Sequence, residues 1–445
     1  MAMVTEDEKG LLELFEEMVP AGRWREWEGE KRRAQVYALP VVVGMMLWQR
    51  LSERGTQQEA VEQMAMGRWD GLLPASQRVR EKRLSVNTGG YARACGRVTV
   101  ATMEKVCDEV LEKLGQRIEA EPELKVPLLL LDGSSLQLEH AEDILDNFPP
   151  SRNQRGMGHW GVMKWVGLHD MQTGIALRPA WGAMYGEQAV SEQQLAEEVL
   201  KRVEGGSVIV GDGNFGIFSM AYSAVEKGKQ VLFRLTESRA KYLGEKELPS
   251  QGEQRLIWRP SRHDRMRHPE LPVDAQIEGR LLSVTRPGSD KTLYLFTTLT
   301  HPVEKVASWY SLRWNMELDL RTLKGTMRLR HLRGKSIEAV EKELLVAVVA
   351  YGLVRAFMAL AARRAQVPPR QLSFTRCYGL LNAMIGTLYL DDPQQRRRDF
   401  DRLLDYMSKA KLPKRSHPRS YPRATWGRGK YYPGRTSQNA HEKSK

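Results

Sequence analysis

At 445 residues the chain is too long for one small core, so two or three domains are expected. Hydrophobic residues make up 41% of it, which excludes a wholly disordered chain. A formal charge of +13 and a pI near 9.5 point to a polyanionic partner. The widely spaced Cys95, Cys107 and Cys377 form neither a disulfide framework nor a metal-ligand pair, which fits a reducing cytoplasm. The start, MAMVTEDEKG, lacks the basic opening and apolar run of a signal peptide.

Residues 1–120 read as mainly helical. Thr56 ahead of Gln57, Gln58 and Glu59 resembles a helix start, and Val106, Val110 and Leu114 recur at helical spacing. Between them, residues 84–98 place Arg93 and Arg97 near Tyr91. That suits either a small DNA-reading unit or an ordinary packing or dimerisation domain, since no helix-turn-helix spacing is clear. At 126–131, VPLLLL is a continuous apolar run ending at Asp132, the pattern of a central strand covered on both faces. Residues 159–169 and 174–181 read as a hairpin around the turn from Asp170 to Thr173. Ser191 with Gln194 makes a capping box that opens a helix to about Val203. A second apolar run, 207–210, ends in Gly211 and Asp212; a helix at 218–225 and a strand at 230–235 follow. The order predicts an α/β domain with Asp132 and Asp212 at the ends of two apolar strands.

Residues 276–285 and 292–300 are rich in strand formers and are separated by Arg286, Pro287 and Gly288. Residues 309–327, WYSLRWNMELDLRTLKGTM, predict one helix. On it Tyr310, Arg313, Glu317 and Lys324 fall within a sector of about 60°. Beside them runs an apolar stripe of Trp309, Leu312, Met316, Leu320, Leu323 and Met327, which favours a core role for Trp309 over stacking on a base. An Arg-Glu pair at i,i+4 ordinarily decorates a solvated face. Together with the two strand-end aspartates, however, Glu317 completes three hard oxygen ligands from separate elements, the set a two-Mg²⁺ site needs. His159, His169, His263 and His268 lack zinc-ligand spacing.

Helices at about 336–365, 372–390 and 393–409 cover this domain or join two subunits. The apolar stretch 344–362 carries Arg355 near its middle and therefore reads as a buried helix, not a membrane span. Residues 409–435 hold nine Lys or Arg and no acid, interleaved with Tyr421, Trp426, Tyr431 and Tyr432. Such a segment cannot build a core and suits contact with phosphates.

The order and spacing of the three acids resemble those of ribonuclease H-like transposases and integrases of the DDE type. Tyr310, Arg313, Glu317 and Lys324 match, at every interval, the Tyr-x2-Arg-x3-Glu-x6-Lys signature of bacterial insertion-sequence transposases of the insertion-sequence-four family. The resemblance, over about 126–333, implies a ribonuclease H-like catalytic domain at 121–335 with a β insertion at about 236–300. Helical regions at 1–120 and 336–408 flank it, and the basic tail occupies 409–445. By the same resemblance, Asp132, Asp212 and Glu317 are the catalytic, metal-binding acids and Tyr310, Arg313 and Lys324 contact DNA. Mg²⁺ is the implied cofactor, with Mn²⁺ able to substitute, and Arg415, Arg419 and Arg423 in the tail are expected to add DNA contacts. The implied activity is cleavage at transposon ends followed by strand transfer of the freed 3′-hydroxyl into target DNA. A homo-oligomer, a dimer on DNA, would perform it in the bacterial cytoplasm, at the nucleoid and away from membranes. A structure-selective nuclease without strand transfer and an inactive DNA-binding relative are the alternatives. One departure stands out: many members carry an arginine directly after the second aspartate, where this chain has Gly213, then Asn214 and Phe215.

Overall fold

The structure, a computed structural model, describes residues 21–28, 36–67, 73, 77–118, 126–154, 156–203, 205–244, 252–285, 292–384 and 393–413. Chain contacts divide the molecule into residues 1–411 and 412–445, and the second unit is described only at Leu412 and Pro413. Arg415, Arg419 and Arg423 therefore lie outside the described residues, as does the turn at Arg286 to Gly288.

The first described elements are helices: α1 (Ala21–Glu28), α2 (Leu39–Leu51), α3 (Gln57–Ala65), α4 (Gln77–Arg80), α5 (Gly89–Arg97) and α6 (Val100–Arg117). Thr56 caps α3 by accepting the Glu59 N–H, as its place before a polar first turn predicts.

Eight strands form one mixed sheet. They are β1 (Leu128–Leu138), β2 (Gly161–Asp170), β3 (Ala180–Ala183), β4 (Val208–Gly211), β5 (Gln230–Leu235), β6 (Gly252–Trp258), β7 (Ile277–Thr285) and β8 (Thr292–Thr297), in spatial order β3-β2-β1-β4-β5-β8-β7-β6. β4 runs parallel to β1 and to β5, and the other neighbouring pairs are antiparallel. The strands of 236–300 join through β8, where Tyr294 pairs with Leu235, and so widen the same sheet. Among them lie short helices α7 (Glu142–Asn147), α8 (Glu192–Leu200), α9 (Phe218–Glu226), α10 (Glu237–Leu243) and α11 (Arg262–Arg267). α12 (Val303–Ser311), α13 (Trp314–Lys324), α14 (Ile337–Ala365), α15 (Phe374–Met384) and α16 (Pro393–Ser408) complete the order.

The run VPLLLL is apolar without alternation because both faces of β1 are covered. Leu128 and Leu130 join Val208 and Val210 in a core shared with α6 and α14. Leu129 and Leu131 join Ile209, Val231 and Phe233 in a second core shared with α8 and α9. One expectation is corrected: β1 does not end at Asp132 but continues to Leu138. Its parallel partner β4 stops at Gly211, opposite Leu131, while its antiparallel partner β2 accompanies it to the end. Asp132 thus marks the end of one side of the ladder.

A second correction concerns 309–327, which is two helices. Leu312, Arg313, Asn315 and Met316 donate to carbonyls three residues back, at 2.9–3.0 Å, and this tightened turn separates α12 from α13. Trp309, Met316, Leu320, Leu323 and Met327 are buried as the stripe predicts, but Leu312, in the turn, is 42% exposed. Trp309 is therefore a core residue.

α14 is long and apolar enough to cross a membrane, yet its apolar window is entirely buried within this chain. Arg355 near its middle meets the fully buried Asp319 of α13. Asp319 also accepts from Arg370 at 2.9 and 3.0 Å and from His169 Nδ1 of β2 at 3.2 Å. Burial lowers the pKa of His169, so the ring is neutral and donates from Nδ1. This ionic knot ties α13 to the sheet and to α14.

Candidate active site

The register of two parallel strands places the first acids. Leu131 pairs with Gly211, so the next residues, Asp132 and Asp212, leave neighbouring strands side by side, about 5 Å apart in backbone terms. Period-two alternation carries them to the face of Leu130 and Val210, the face against which α13 packs through β1.

From α13 comes the third acid. Arg313, in the turn before it, donates from Nη2 to Glu317 Oε1 at 2.8 Å and holds Nη1 3.6 Å from Asp132 Oδ2. The guanidinium thus bridges Asp132 and Glu317. Asp132 Oδ1 accepts the Gly133 N–H at 2.8 Å, and Asp212 Oδ1 accepts the Asn214 N–H at 2.9 Å. Tyr310 is 3% exposed. Burial raises its pKa, and the charges of Arg313, Arg234 and Asp212 reach it, so it stands protonated beside the acids as a hydrogen-bond donor. Lys324 lies two turns beyond Glu317, about 10 Å along the helix. It is half-buried, and burial with the nearby Arg330 lowers its pKa.

Residues 127–353, half of the chain and a span that includes all three acids and the signature, match the transposase DDE domain. The chain belongs to the DDE transposase family, in its insertion-sequence-four branch. It is 30% identical over 260 residues to the transposase InsG for insertion sequence element IS4 of Escherichia coli, covering 56% of this chain and 57% of that protein. It is also 32% identical over 96 residues to the protein y4zB of Sinorhizobium fredii, or 22% of this chain and 26% of that one. The chain thus spans less than two thirds of the length of either relative.

Sequence reasoning missed Glu192 and Arg234 beside this candidate site and named Asn214 only as a departure from the family pattern. Glu192, at the first position of α8, lies against Gly133, where an added Cβ would come within 2.9 Å of its carboxyl carbon. It accepts a hydrogen bond from Asn214, and its charge is felt by Asp132. Asn214 also takes Gln193 Nε2 at 2.9 Å, so the residues after the second aspartate are held by α8. Phe215 is fully buried. Arg234 of β5 brings positive charge to Tyr310, and its one signal was a cation near the end of the apolar run QVLFRL.

The donor set suits a hard divalent cation, because all its ligands are carboxylate oxygens. Among the described residues no three acid, histidine or cysteine side chains already converge on one point. Arg313 pairs closely with Glu317 and lies beside Asp132. Ionisation of Asp132 is opposed by its surroundings: burial, with Asp212 and Glu192 adding repulsion, pushes its carboxyl from 3.8 to about 6 against the Gly133 N–H and Arg313. A carboxyl harder to ionise in the folded state weakens the fold as it ionises. Metal-free protein should therefore lose stability as pH rises from about 4 to about 6, by about 3 kcal/mol from this group. In a chelator at about pH 7.5, Asp132→Asn is expected to melt above wild type, with the gap closing towards about pH 4. Adding Mn²⁺ should raise the melting point of wild type and leave the variant's unchanged. Thermal melts across pH would show the same gap throughout if Asp132 paid no burial penalty.

Proposed function

We propose that the chain is a DNA transposase that cleaves transposon ends and transfers the freed 3′-hydroxyl into target DNA. The reading is carried by the adjacency of Asp132 and Asp212 at the end of the β1–β4 ladder, with Glu317 joined to them through Arg313. A ribonuclease H-like catalytic fold is supported by the order β3-β2-β1-β4-β5, in which an antiparallel triplet is followed by parallel strands. The domain limits proposed from the sequence are kept: helical 1–120, catalytic 121–335 with the 236–300 strands as an insertion, helical 336–408, and a DNA-contacting tail at 409–445 bearing Arg415, Arg419 and Arg423.

Asp132, Asp212 and Glu317 would hold two Mg²⁺ ions, with Mn²⁺ as a substitute. Bound there, the ions would supply an acidified nucleophile and charge stabilisation at the phosphoryl group. Arg313 is placed to exchange its carboxylate contacts for a bidentate grip on a phosphate, a fork that lysine lacks. Tyr310 donates a hydrogen bond to a neighbouring phosphate. Lys324, farther along the helix, acts as a point charge on the same strand. Arg234 supplies positive charge near the second aspartate, where the family's usual arginine is replaced by Gly213. The partner is DNA, the working form a homodimer on it, and the place of action the bacterial cytoplasm at the nucleoid.

The test uses the full chain, Mg²⁺ and a labelled duplex copied from the DNA flanking its gene, with a supercoiled plasmid as target. Cleaved 3′ ends and joined products are expected. Cleavage without joining would favour the structure-selective nuclease, and binding without cleavage would favour the inactive relative.

A further inference from the structure

Away from the acids, a cleft of about 610 Å³ opens between the amino-terminal helices and the chain that follows α13. One wall is the end of α2, the start of α3 and one side of α5. The other is the connection from Arg328 to Lys335 with the first turns of α14.

The basic residues lining it fall into two groups. Arg50, Arg328 and Lys342 are engaged by the protein. Arg50 pairs with Glu343 at 3.3 Å, and Lys342 donates to the carbonyls of Cys95 and Val98 at 3.1 and 2.9 Å. Arg328 spreads its guanidinium over carbonyls at the end of α2, Arg50 at 2.9 Å and Ser52 at 2.7 Å among them. These are the orphan acceptors and the negative end of that helix. To do so it adopts a left-handed backbone with φ 60°, a conformation costly for a side chain with a Cβ. The contact fastens the connection to the amino-terminal helices, so the walls are held in place.

Arg54, His331, Arg333 and Lys335 form the second group. All four are exposed, and their side chains make no hydrogen bond or ion pair among the described residues. The acids of the cleft do not answer them. Glu343 is taken by Arg50 and by the Arg333 backbone N–H at 2.9 Å, and Glu338 lies 3.6 Å from Lys342. Arg54 thus lines one wall and Arg333 and Lys335 the other, three full charges with no ion-pair partner among the described residues. Nor is the cleft isolated from the signature helix, because Arg330 in the same connection is close enough to act on Lys324.

We propose that this cleft is a second DNA site, holding phosphates of the duplex arm that leads away from the scissile position. The inference rests on the DNA reading of the acid site and adds to it a clamp formed jointly by the amino-terminal helices and the chain after α13. Positive charge would then continue from Arg313 through Lys324 and Arg330 to the cleft, and the backbone of one duplex could follow it.

The experiment is fluorescence anisotropy of the full chain on a labelled end duplex across a salt series, comparing wild type with the triple variant Arg54→Gln, Arg333→Gln, Lys335→Gln. Each lost phosphate contact lowers the slope of log affinity against log salt by about 0.9, so a fall of about 2 to 3 is expected. A control, Lys105→Gln, Lys201→Gln, Lys227→Gln, removes the same charge from exposed positions on other elements and should change the slope by less than 1. On a duplex shortened by the arm, wild type and triple variant should bind alike. An unchanged slope, or an equal fall in the control, overturns the cleft while leaving the acid site standing. Failure of wild type to bind any duplex overturns the DNA reading itself. Since the three side chains make no hydrogen bond or ion pair among the described residues, thermal melting of the triple variant should match wild type, which separates a binding loss from misfolding.

Discussion

Asp319→Ala is expected to destabilise the protein by about 3–5 kcal/mol, a large share of the about 5–15 kcal/mol by which folded proteins are ordinarily stable. The carboxylate is completely buried, and its main partner Arg355 is 6% exposed. Burial by itself would raise the Asp319 pKa. Arg355 and Arg370, with His169, outweigh it and hold the carboxyl far below the usual range. Deleting the acid leaves Arg355 with the Tyr351 hydroxyl, at 2.8 Å, as its remaining hydrogen-bond partner among the described residues, beside ring contacts with Tyr351 and Phe374. Arg370 is less affected because it also donates to the carbonyls of Met171 and Asp170. The sign with pH follows from the depressed value: the stabilisation is present at neutral pH and is lost only as strong acid protonates the carboxyl. The difference between wild type and variant should accordingly shrink below about pH 4. Denaturant unfolding followed by tryptophan fluorescence measures it. A variant with Asp319→Leu and Arg355→Met should recover part of the loss, because no fully buried charge is then left alone. If Asp319→Ala unfolds within about 1 kcal/mol of wild type, the knot is not what holds α13.

The second large effect concerns the reaction. Asp212→Ala, Asp132→Asn and Glu317→Gln should each lower the rate of end cleavage by about a thousandfold or more, corresponding to at least about 4 kcal/mol of lost charge stabilisation. Binding of the uncut end should persist, since affinity comes mainly from cations on phosphates and not from the acids. Single-turnover cleavage and anisotropy on the same duplex separate the two. Glu317→Gln also removes the negative charge that Arg313 pairs with at 2.8 Å. That variant should bind the uncut end somewhat more tightly than wild type. Cleavage by Asp212→Ala at the wild-type rate would remove the second aspartate from the mechanism, and with it the two-ion site.

Much of the site was legible because it is built from local signals. Short apolar runs buried on both faces announce central strands, and the acid after each is visible in one dimension. The four signature residues are separated by nearly whole turns, the spacing from which helical periodicity predicts one shared side. Of them, Arg313 and Glu317 meet at 2.8 Å across the start of α13, because both segments flanking the turn remain helical. The capping box at Ser191 and Gln194 formed where the spacing predicts. What failed was the end of β1. A strand stops when its partners stop, and β2, some thirty residues later in the chain, carries β1 past Asp132 to Leu138.

By itself the sequence determined the α/β class, the two apolar strands with their acids, the burial of the 344–362 segment and the membership announced by Tyr310, Arg313, Glu317 and Lys324. Each depends on composition or on contacts within one turn or one strand. Only the tertiary structure decided which charges meet. The pairing of Leu131 with Gly211 sets Asp132 beside Asp212, Arg313 chooses Asp132 as well as Glu317, and Glu192 fits against Gly133 because that position has no side chain. It also decided that Asp319 and Arg355, 36 residues apart, are partners and not surface charges. Electrostatic contacts of this kind depend on distance in space and on exclusion of water. Neither quantity exists until the sheet, α13 and α14 have packed.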